Sequence, residues 1–291
     1  MPQLHFSIAG SFFMEVLGVW SARDRGLRRF ELSCGRFDRD TVGAVCSALA
    51  LSQTISEFAF TDSRSGRDAD GNLLPGQMSR SVWWPWLAYA LFSQDAKNDI
   101  QSVQLDVNDF TMSDLDAMRA VLDHANPLAY VCALDEPEPK SPVLSSPPTV
   151  AILKPRTRVA IGHRIVIAHE ENFVDRGSAT LTTNAPHQIV RNNETEDFVE
   201  IVFPGSGVGW IDRSNVLEIV SSERRENMSV KCLKLESISA SSYPAVLELL
   251  RLVGGHLESL TLDPLASILN IKSKVRAGWS RLVMPMGQDV D

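Results

Sequence analysis

Asp68-x-Asp70-x-Asn72 is the clearest arrangement of oxygen ligands in the sequence, and its spacing is typical of a calcium-binding loop. A complete loop of that kind also needs glycine at its sixth position and glutamate at its twelfth. Leu73 and Ser79 stand at those two positions. The stretch is therefore interpreted as a polar surface loop rather than as a metal site.

Two other stretches could hold a metal ion or a phosphate group, and each lacks a necessary part. His163 and His169 are candidate metal ligands, but residues six apart on an extended strand are separated by roughly 20 Å. Gly205-x-Gly207-x-Gly209 resembles a phosphate-binding loop, but it leads into a predicted strand and not into a helix N-terminus. The sequence thus predicts no catalytic residue, no cofactor-binding residue and no metal ligand.

Composition and charge narrow the class of protein. With 291 residues, 44% hydrophobic and 22% charged, the chain can form one large or two ordinary soluble domains. Its formal net charge of −8 disfavours nucleic acid or an anionic membrane as the main partner. The four cysteines are widely spaced without a C-x-x-C pair, which favours free thiols in a reducing compartment. A cytoplasmic protein without a cofactor is therefore predicted.

A frame of alternating apolar residues recurs along the chain. Its clearest copy, Ile100-x-x-Val103-x-Leu105-x-x-Asn108-x-Phe110, predicts a short buried strand followed by a turn. Other copies begin near residues 1, 27, 55, 128, 230 and 257, so neighbouring copies lie 26 to 28 residues apart with two exceptions. The gap between 55 and 100 leaves room for a loop, and the gap between 128 and 230 leaves room for a small domain.

Amphipathic helices are predicted between these strands. After the clearest copy, Ser113 is a suitable N-cap, and Leu115, Met118 and Leu122 lie on one helical face. This face is expected to pack against neighbouring repeats.

One predicted helix is unusually aromatic. It contains Trp83, Trp84, Trp86 and Tyr89, with Pro85 in its first turn. Helix packing is favoured over a binding site, although rings at successive positions are not all expected to face inward.

The recurring frame resembles the leucine-rich repeat signature L-x-x-L-x-L-x-x-N-x-L, in ribonuclease-inhibitor-like repeats. The resemblance implies a curved solenoid with a parallel sheet on its inner face and helices outside, which binds other proteins in most members of the family. Only the copy at Ile100 keeps asparagine in the turn. The regular asparagine ladder of the family is therefore not expected.

Residues 150 to 222 lose the helical period and are predicted to form short strands, at 157–161, 164–169, 179–182, 198–203, 209–212 and 216–219. Residues 197 to 220, DFVEIVFPGSGVGWIDRSNVLEIV, resemble the closing strands of an SH3-like barrel. Asp212 and Asn215 stand where peptide-binding SH3 domains carry proline and tyrosine, so ordinary proline-peptide recognition is disfavoured. The resemblance therefore implies the barrel fold without that function.

The predicted fold class is α/β: a leucine-rich repeat solenoid interrupted by a small all-β SH3-like barrel. The predicted units are residues 1–134, the N-terminal part of the solenoid; 135–149, a Pro/Ser-rich linker; 150–222, the SH3-like insert; and 223–291, the C-terminal part of the solenoid. Residues 230–262 are expected to pack directly onto a strand at residues 128–133, which keeps the sheet continuous. The insert is expected to own its core and to make few contacts with the repeats, so that deleting residues 140–225 leaves a folded solenoid.

Residues that alternate with the strand leucines would line the inner face of the sheet. The candidate partner-binding residues are Arg29, Glu31, Glu57, Gln104, Asp106, Tyr130, Lys234, Glu236 and Thr261 on that face, with Trp210 and Phe198 on the insert.

The predicted function is non-enzymatic: an interaction or scaffold protein that binds another protein through the sheet face, the insert or both. Two alternatives stay open, a fragment of a larger sensor or adaptor without its effector domain, and an enzyme with a site between insert and solenoid. No nucleophile–base pair, paired carboxylate motif or metal-ligand spacing supports the enzyme.

Overall fold

The structure, a computed structural model, describes residues 3–6, 27–34, 39–62, 83–133, 148–167, 170–180, 187–192, 197–203, 207–264 and 282–285. Within these ranges the chain is a mixed α/β protein with a largely parallel sheet and a separate antiparallel sheet. The strands are β1 (Gln3–Phe6), β2 (Arg29–Cys34), β3 (Glu57–Asp62), β4 (Ser102–Asp106), β5 (Thr149–Leu153), β6 (Arg158–Ile167), β7 (Glu170–Thr180), β8 (His187–Arg191), β9 (Phe198–Phe203), β10 (Gly207–Asp212), β11 (Val216–Ser221), β12 (Cys232–Ile238), β13 (Ser259–Pro264) and β14 (Leu282–Pro285). The helices are α1 (Arg39–Leu51), α2 (Trp83–Leu87, continued by a π-helical turn at Ala88–Phe92), α3 (Met112–Asp123), α4 (Pro127–Ala133) and α5 (Tyr243–Val253).

The parallel sheet joins strands that are far apart in sequence. Its order is β1-β2-β3-β4-β12-β13-β14, and all neighbours are parallel except β13 and β14. Apolar residues of adjacent strands stand in register: Phe58 and Leu233 both pair with Val103. Because alternate residues of a strand point to one face, these side chains enter one core that the helices share.

The prediction of a strand at residues 128–133 is wrong, because this segment is helix α4. Asn126 accepts a hydrogen bond from the Ala129 backbone N–H at 3.1 Å, and Pro127 occupies the first helical position, where its missing N–H costs nothing. Leu128 and Val131 are buried, and their spacing of three suits a helix. The sheet is continuous as predicted, but β12 pairs with β4 instead of with this segment.

The N-cap of helix α3 lies two residues before Ser113, where it was predicted. Thr111 is the N-cap: its side chain accepts from the Asp114 N–H at 3.2 Å, and the Asp114 carboxylate accepts from the Thr111 N–H at 2.9 Å. This reciprocal capping box satisfies two donors that a helix start leaves open. Leu115 and Met118 are buried, as predicted.

The four aromatic rings singled out in this helix, Trp83, Trp84, Trp86 and Tyr89, are all buried, so the expectation that some face outward is wrong. Trp83 lies 5.1 Å from Phe60 between ring centroids, and Trp84 lies 4.6 Å from Phe110 in an edge arrangement. These contacts hold the start of the helix against the turn ends of β3 and β4.

The other two rings lie against different elements. Trp86 packs on α1 at Gly43, where an added Cβ would stand 3.3 Å from the ring, so the glycine lets the two helices approach. The Tyr89 hydroxyl donates to Gln188 of β8. Tyr89 is buried where the antiparallel sheet reaches the π-helical turn, on a side that the repeat frame alone would leave in water.

The antiparallel sheet has the order β11-β5-β8-β9-β10-β6-β7, and its strands β5 to β11 are called the module below. The predicted closing strands are found as β9, β10 and β11, with a 3-10 turn at Arg213–Asn215 between the last two. Strands predicted separately at 157–161 and 164–169 form the single strand β6, and β5 and β8 were not predicted.

The module has one core of its own and contributes to a second. Its own core consists of Ala151, Leu153, Val159, Ile189, Val199, Ile201 and Ile211. The intervening residues Val190 and Val202 belong instead to the main core, with the helices and the parallel sheet. Strands β8 and β9 are thus buried on both faces, and the expectation that the insert makes few contacts with the repeats is wrong.

Candidate functional site

The polar face of the parallel sheet brings together eight of the predicted partner-binding residues. Along β4 and β12 the apolar residues are buried and the alternating residues are half-exposed. One row in register runs from Glu31 through Ala59, Gln104 and Lys234 to Thr261, and Arg29 and Glu57 pair in another. Asp106 and Glu236 pair in a third row. The members on this face are Arg29, Glu31, Glu57, Gln104, Asp106, Lys234, Glu236 and Thr261.

Both cations of this described face are held by its own carboxylates. Arg29 Nη1 lies 3.2 Å from Glu57 Oε2, and Arg29 Nη2 lies 3.7 Å from Glu31 Oε2. Lys234 contacts Glu236, whose second oxygen accepts from the Gln104 amide at 2.8 Å. The pairs are partly exposed, so each contributes little to stability, but together they fix the direction of the side chains.

Carboxylates outnumber cations on the described part of this face. The carboxylates are Glu31, Glu57, Asp106, Glu236 and Asp263, and the cations are Arg29 and Lys234, which leaves an excess of three negative charges. Asp106 is held in place by the Ser237 hydroxyl at 3.1 Å and the Asn108 N–H at 3.0 Å. The face therefore offers fixed acceptors to a partner.

Three predicted partner-binding residues lie elsewhere, and the placement of Tyr130 on the sheet face is wrong. Tyr130 belongs to α4, where its ring stacks on His124 at 4.9 Å, so it is not on the sheet face. Trp210 is only 7% exposed and lies on the face of β10 that is turned toward the main core, which leaves no surface for a partner. Phe198, at the start of β9, is 52% exposed and remains a candidate.

The module carries exposed apolar residues that sequence reasoning missed. Leu217 and Ile219 of β11 are 56% and 39% exposed, at the end of the sheet order. Leu217 falls where the register between β11 and β5 shifts, which explains why the alternating pattern gave no sign of its exposure.

A polar junction joins the module to the π-helical turn and to the loop that follows it. Gln188 of β8 accepts from the Tyr89 hydroxyl and donates to the Asp95 backbone carbonyl at 3.5 Å. The Asp95 carboxylate accepts from Arg224 Nε at 3.0 Å and Nη2 at 3.4 Å. Burial raises the pKa of Asp95, and the ion pair with Arg224 partly offsets this rise. No sequence pattern pointed to this junction, since its members are about a hundred or more residues apart.

His187, at the start of β8, is a buried histidine with a displaced pKa. Burial lowers the pKa, and a hydrogen bond with the Val202 backbone partly offsets the effect. The neutral form is therefore favoured in the folded protein. A lowered folded-state pKa contributes stability that is present above the ordinary value near 6.5 and is lost as the pH falls through the folded-state value.

Lowering the pH from 7.5 to 5.5 is expected to reduce the free energy of unfolding, and His187→Gln is expected to flatten this dependence. His256→Gln, at an exposed position, is the matched control and should keep the wild-type slope. Urea unfolding at each pH measures the effect. Equal slopes for wild type and His187→Gln would show that His187 is not the titrating group.

Several sequence predictions concern residues that the structure leaves out. The candidate calcium loop at residues 68–72, His169, Gly205 and the linker up to residue 147 lie outside the described residues. Within the described ranges, no three His, Cys, Asp or Glu side chains come together in a way that could hold a metal ion. The helices in these ranges include none with the length and apolar composition needed to cross a membrane.

Comparison with protein families, curated proteins and solved structures finds no match to this chain.

Proposed function

We propose that this protein is a non-enzymatic scaffold that binds a partner protein through the polar face of its parallel sheet. The observation that carries the proposal is the register of that face, because residues from five repeats form rows across neighbouring strands. A rigid sheet holds such rows at fixed spacing, so a partner binds without ordering the surface first.

The proposed architecture is a leucine-rich repeat solenoid with an inserted SH3-like barrel. The first part is supported by parallel strands that follow the repeat frame, and in the described residues β4 leads through a turn to α3 and β12 to α5. The second is supported by the succession of β9, β10, the 3-10 turn and β11, together with the pairing of β10 with β6 on its other side.

The charge of the face favours a basic partner segment. Five carboxylates and two cations leave an excess of negative charge, and the cations are already paired within the face. Complementary charge accelerates association and favours one partner over others more than it raises affinity. Phe198 of the module is exposed and offers a second, apolar contact.

Glu57→Gln with Glu236→Gln is expected to weaken partner capture about tenfold, because it removes two carboxylates from the face while it keeps side-chain size. The control is Asp116→Asn with Glu248→Gln, which makes the same change of charge on helices α3 and α5. Wild type and each variant are immobilised on a resin and incubated with native extract. The proteins bound at two salt concentrations are quantified by mass spectrometry.

We expect a set of proteins that wild type and the helix control both capture. The face variant should not capture these proteins, and wild type should lose them at high salt. Equal capture by the face variant would contradict binding at this sheet. Equal loss from the helix control would mean that net charge rather than the face directs binding.

A further inference from the structure

The chain crosses a repeat loop after it leaves the module. Residues 222–230, called the strap, run from β11 to β12 along the 93–99 loop that follows the π-helical turn. The Arg225 N–H donates to the Gln94 carbonyl at 3.0 Å, and the Gln94 amide donates to the Glu226 carbonyl at 3.4 Å. Lys97 donates to the Glu223 carbonyl, and the Ser229 hydroxyl donates to Asn98 at 2.6 Å. The strap is therefore attached along its length.

Asp95 is the residue at which the strap, the loop and the module meet. Its side chain is 2% exposed, and both of its carboxylate oxygens accept from Arg224. Arg224 also donates to the Ala125 carbonyl, just before α4. The Asp95 carbonyl accepts from Gln188 of the module, so a displacement of the loop at Asp95 would disturb both attachments.

We propose that the strap is a latch, closed by the Asp95–Arg224 pair, whose opening lets the module separate from the helices as one unit while the parallel sheet stays folded. The module has its own core, Ala151 to Ile211, which gives it the means to stay intact when it separates. Its contacts with the helices involve the other faces of β8, β9 and β10, where Gln188, Val190, Val202 and Val208 lie.

The two partners of the pair are unequal. Asp95 is buried, whereas the Arg224 side chain is 44% exposed. Removing Arg224 leaves a buried carboxylate without its cation, which is strongly destabilising. Neutralising Asp95 leaves Arg224 partly in water and spares the cost of burying a charge. Arg224→Gln is thus expected to open the latch, while Asp95→Asn is not.

Cys132 of α4 supplies a natural probe of separation. It is buried, and α4 contacts both β8 of the module and the π-helical turn that carries Tyr89. The experiment pulses the full-length protein with iodoacetamide and measures labelling of Cys132 by peptide mass spectrometry. Half-exposed Cys232, on the sheet face, is the internal reference.

In Arg224→Gln, iodoacetamide is expected to label Cys132 about tenfold faster than in wild type. This increase in rate is smaller than the loss of a wholly buried pair would give, because Arg224 is partly exposed. The double variant with Asp95→Asn should recover most of the wild-type rate. Asp99→Asn is the matched control: it breaks the exposed pair of Arg225 with Asp99 at 3.3 Å and should change the rate less than about threefold. Amide exchange in β4 should be unchanged.

An unchanged Cys132 rate in Arg224→Gln would overturn the latch. Faster exchange in β4 in step with Cys132 labelling would also overturn it, because the chain would then be opening as a whole. If Arg224→Gln does not fold, Arg224→Lys keeps the charge but loses the two-pronged geometry, and the proposal requires it to give an intermediate rate.

Discussion

Leu235→Asp is expected to leave the chain without a cooperative unfolding transition at room temperature. Leu235 is fully buried in β12, in register with Leu105 on one side and Leu262 on the other. The change removes about 2 kcal/mol of apolar burial and places a carboxylate in the core at a cost of several kcal/mol more. The sum is comparable with the whole stability of an ordinary domain.

Thr261→Asp is the matched control, because it introduces the same side chain on the exposed face of the neighbouring strand. Its effect on the free energy of unfolding should be below about 1 kcal/mol. Leu235→Ala provides a graded variant, with an expected loss of about 2 to 5 kcal/mol. Circular dichroism during thermal and urea unfolding measures all three. Similar melting of Leu235→Asp and wild type would show that the strand frame has been misassigned.

The parallel strands could be predicted because a single physical rule determines them. Alternate residues of these strands enter one common core, and their neighbours lie on the polar face, so the sequence shows a clear apolar–polar alternation. The core residues include Phe30, Phe58, Val103, Leu233 and Leu260. The polar row on the other face follows from the same rule. Eight of the candidate partner-binding residues were placed for this reason.

The segment after α3 could not be assigned in the same way. Leu128, Val131 and Cys132 are spaced so that they fit a buried strand end as well as one face of a helix. The deciding feature is the Asn126–Pro127 start, where the Asn126 side chain accepts from Ala129. With that start the segment becomes α4, and Tyr130 leaves the sheet face.

Strand β8 escaped prediction because it has no exposed face. Four of its residues are buried on alternating sides. His187 and Ile189 lie on the side of the module core, and Gln188 and Val190 lie on the side of the helices. Without alternation, a strand is not distinguished from any short mixed segment. The junction at Asp95 was not predicted for a different reason. Its partner Arg224 follows the module in the sequence, whereas Asp95 precedes it, so no local pattern connects the two residues.

Deleting residues 140–225 and closing the gap with a Gly/Ser linker is expected to lower the free energy of unfolding of the remainder by about 5 kcal/mol. The deletion uncovers α1 and the π-helical turn, including Tyr89, and it removes Val190 and Val202 from the main core. Each large apolar side chain returned to water costs about 1.5 to 3 kcal/mol. The remainder should also bind the dye ANS and self-associate through the uncovered surface.

Val202→Asp in the full chain tests whether the contact between module and helices, rather than the presence of the deleted residues, protects the main core. It places a charge between the module and the helices, and it should reproduce the binding of ANS while every residue is retained. Ser178→Asp, at an exposed position of β7, is the matched control and should bind no more dye than wild type. A deletion variant that melts like wild type and binds no ANS would mean that the repeats do not depend on the module. The shared core formed by Val190 and Val202 would then contribute nothing measurable to the stability of the parallel sheet.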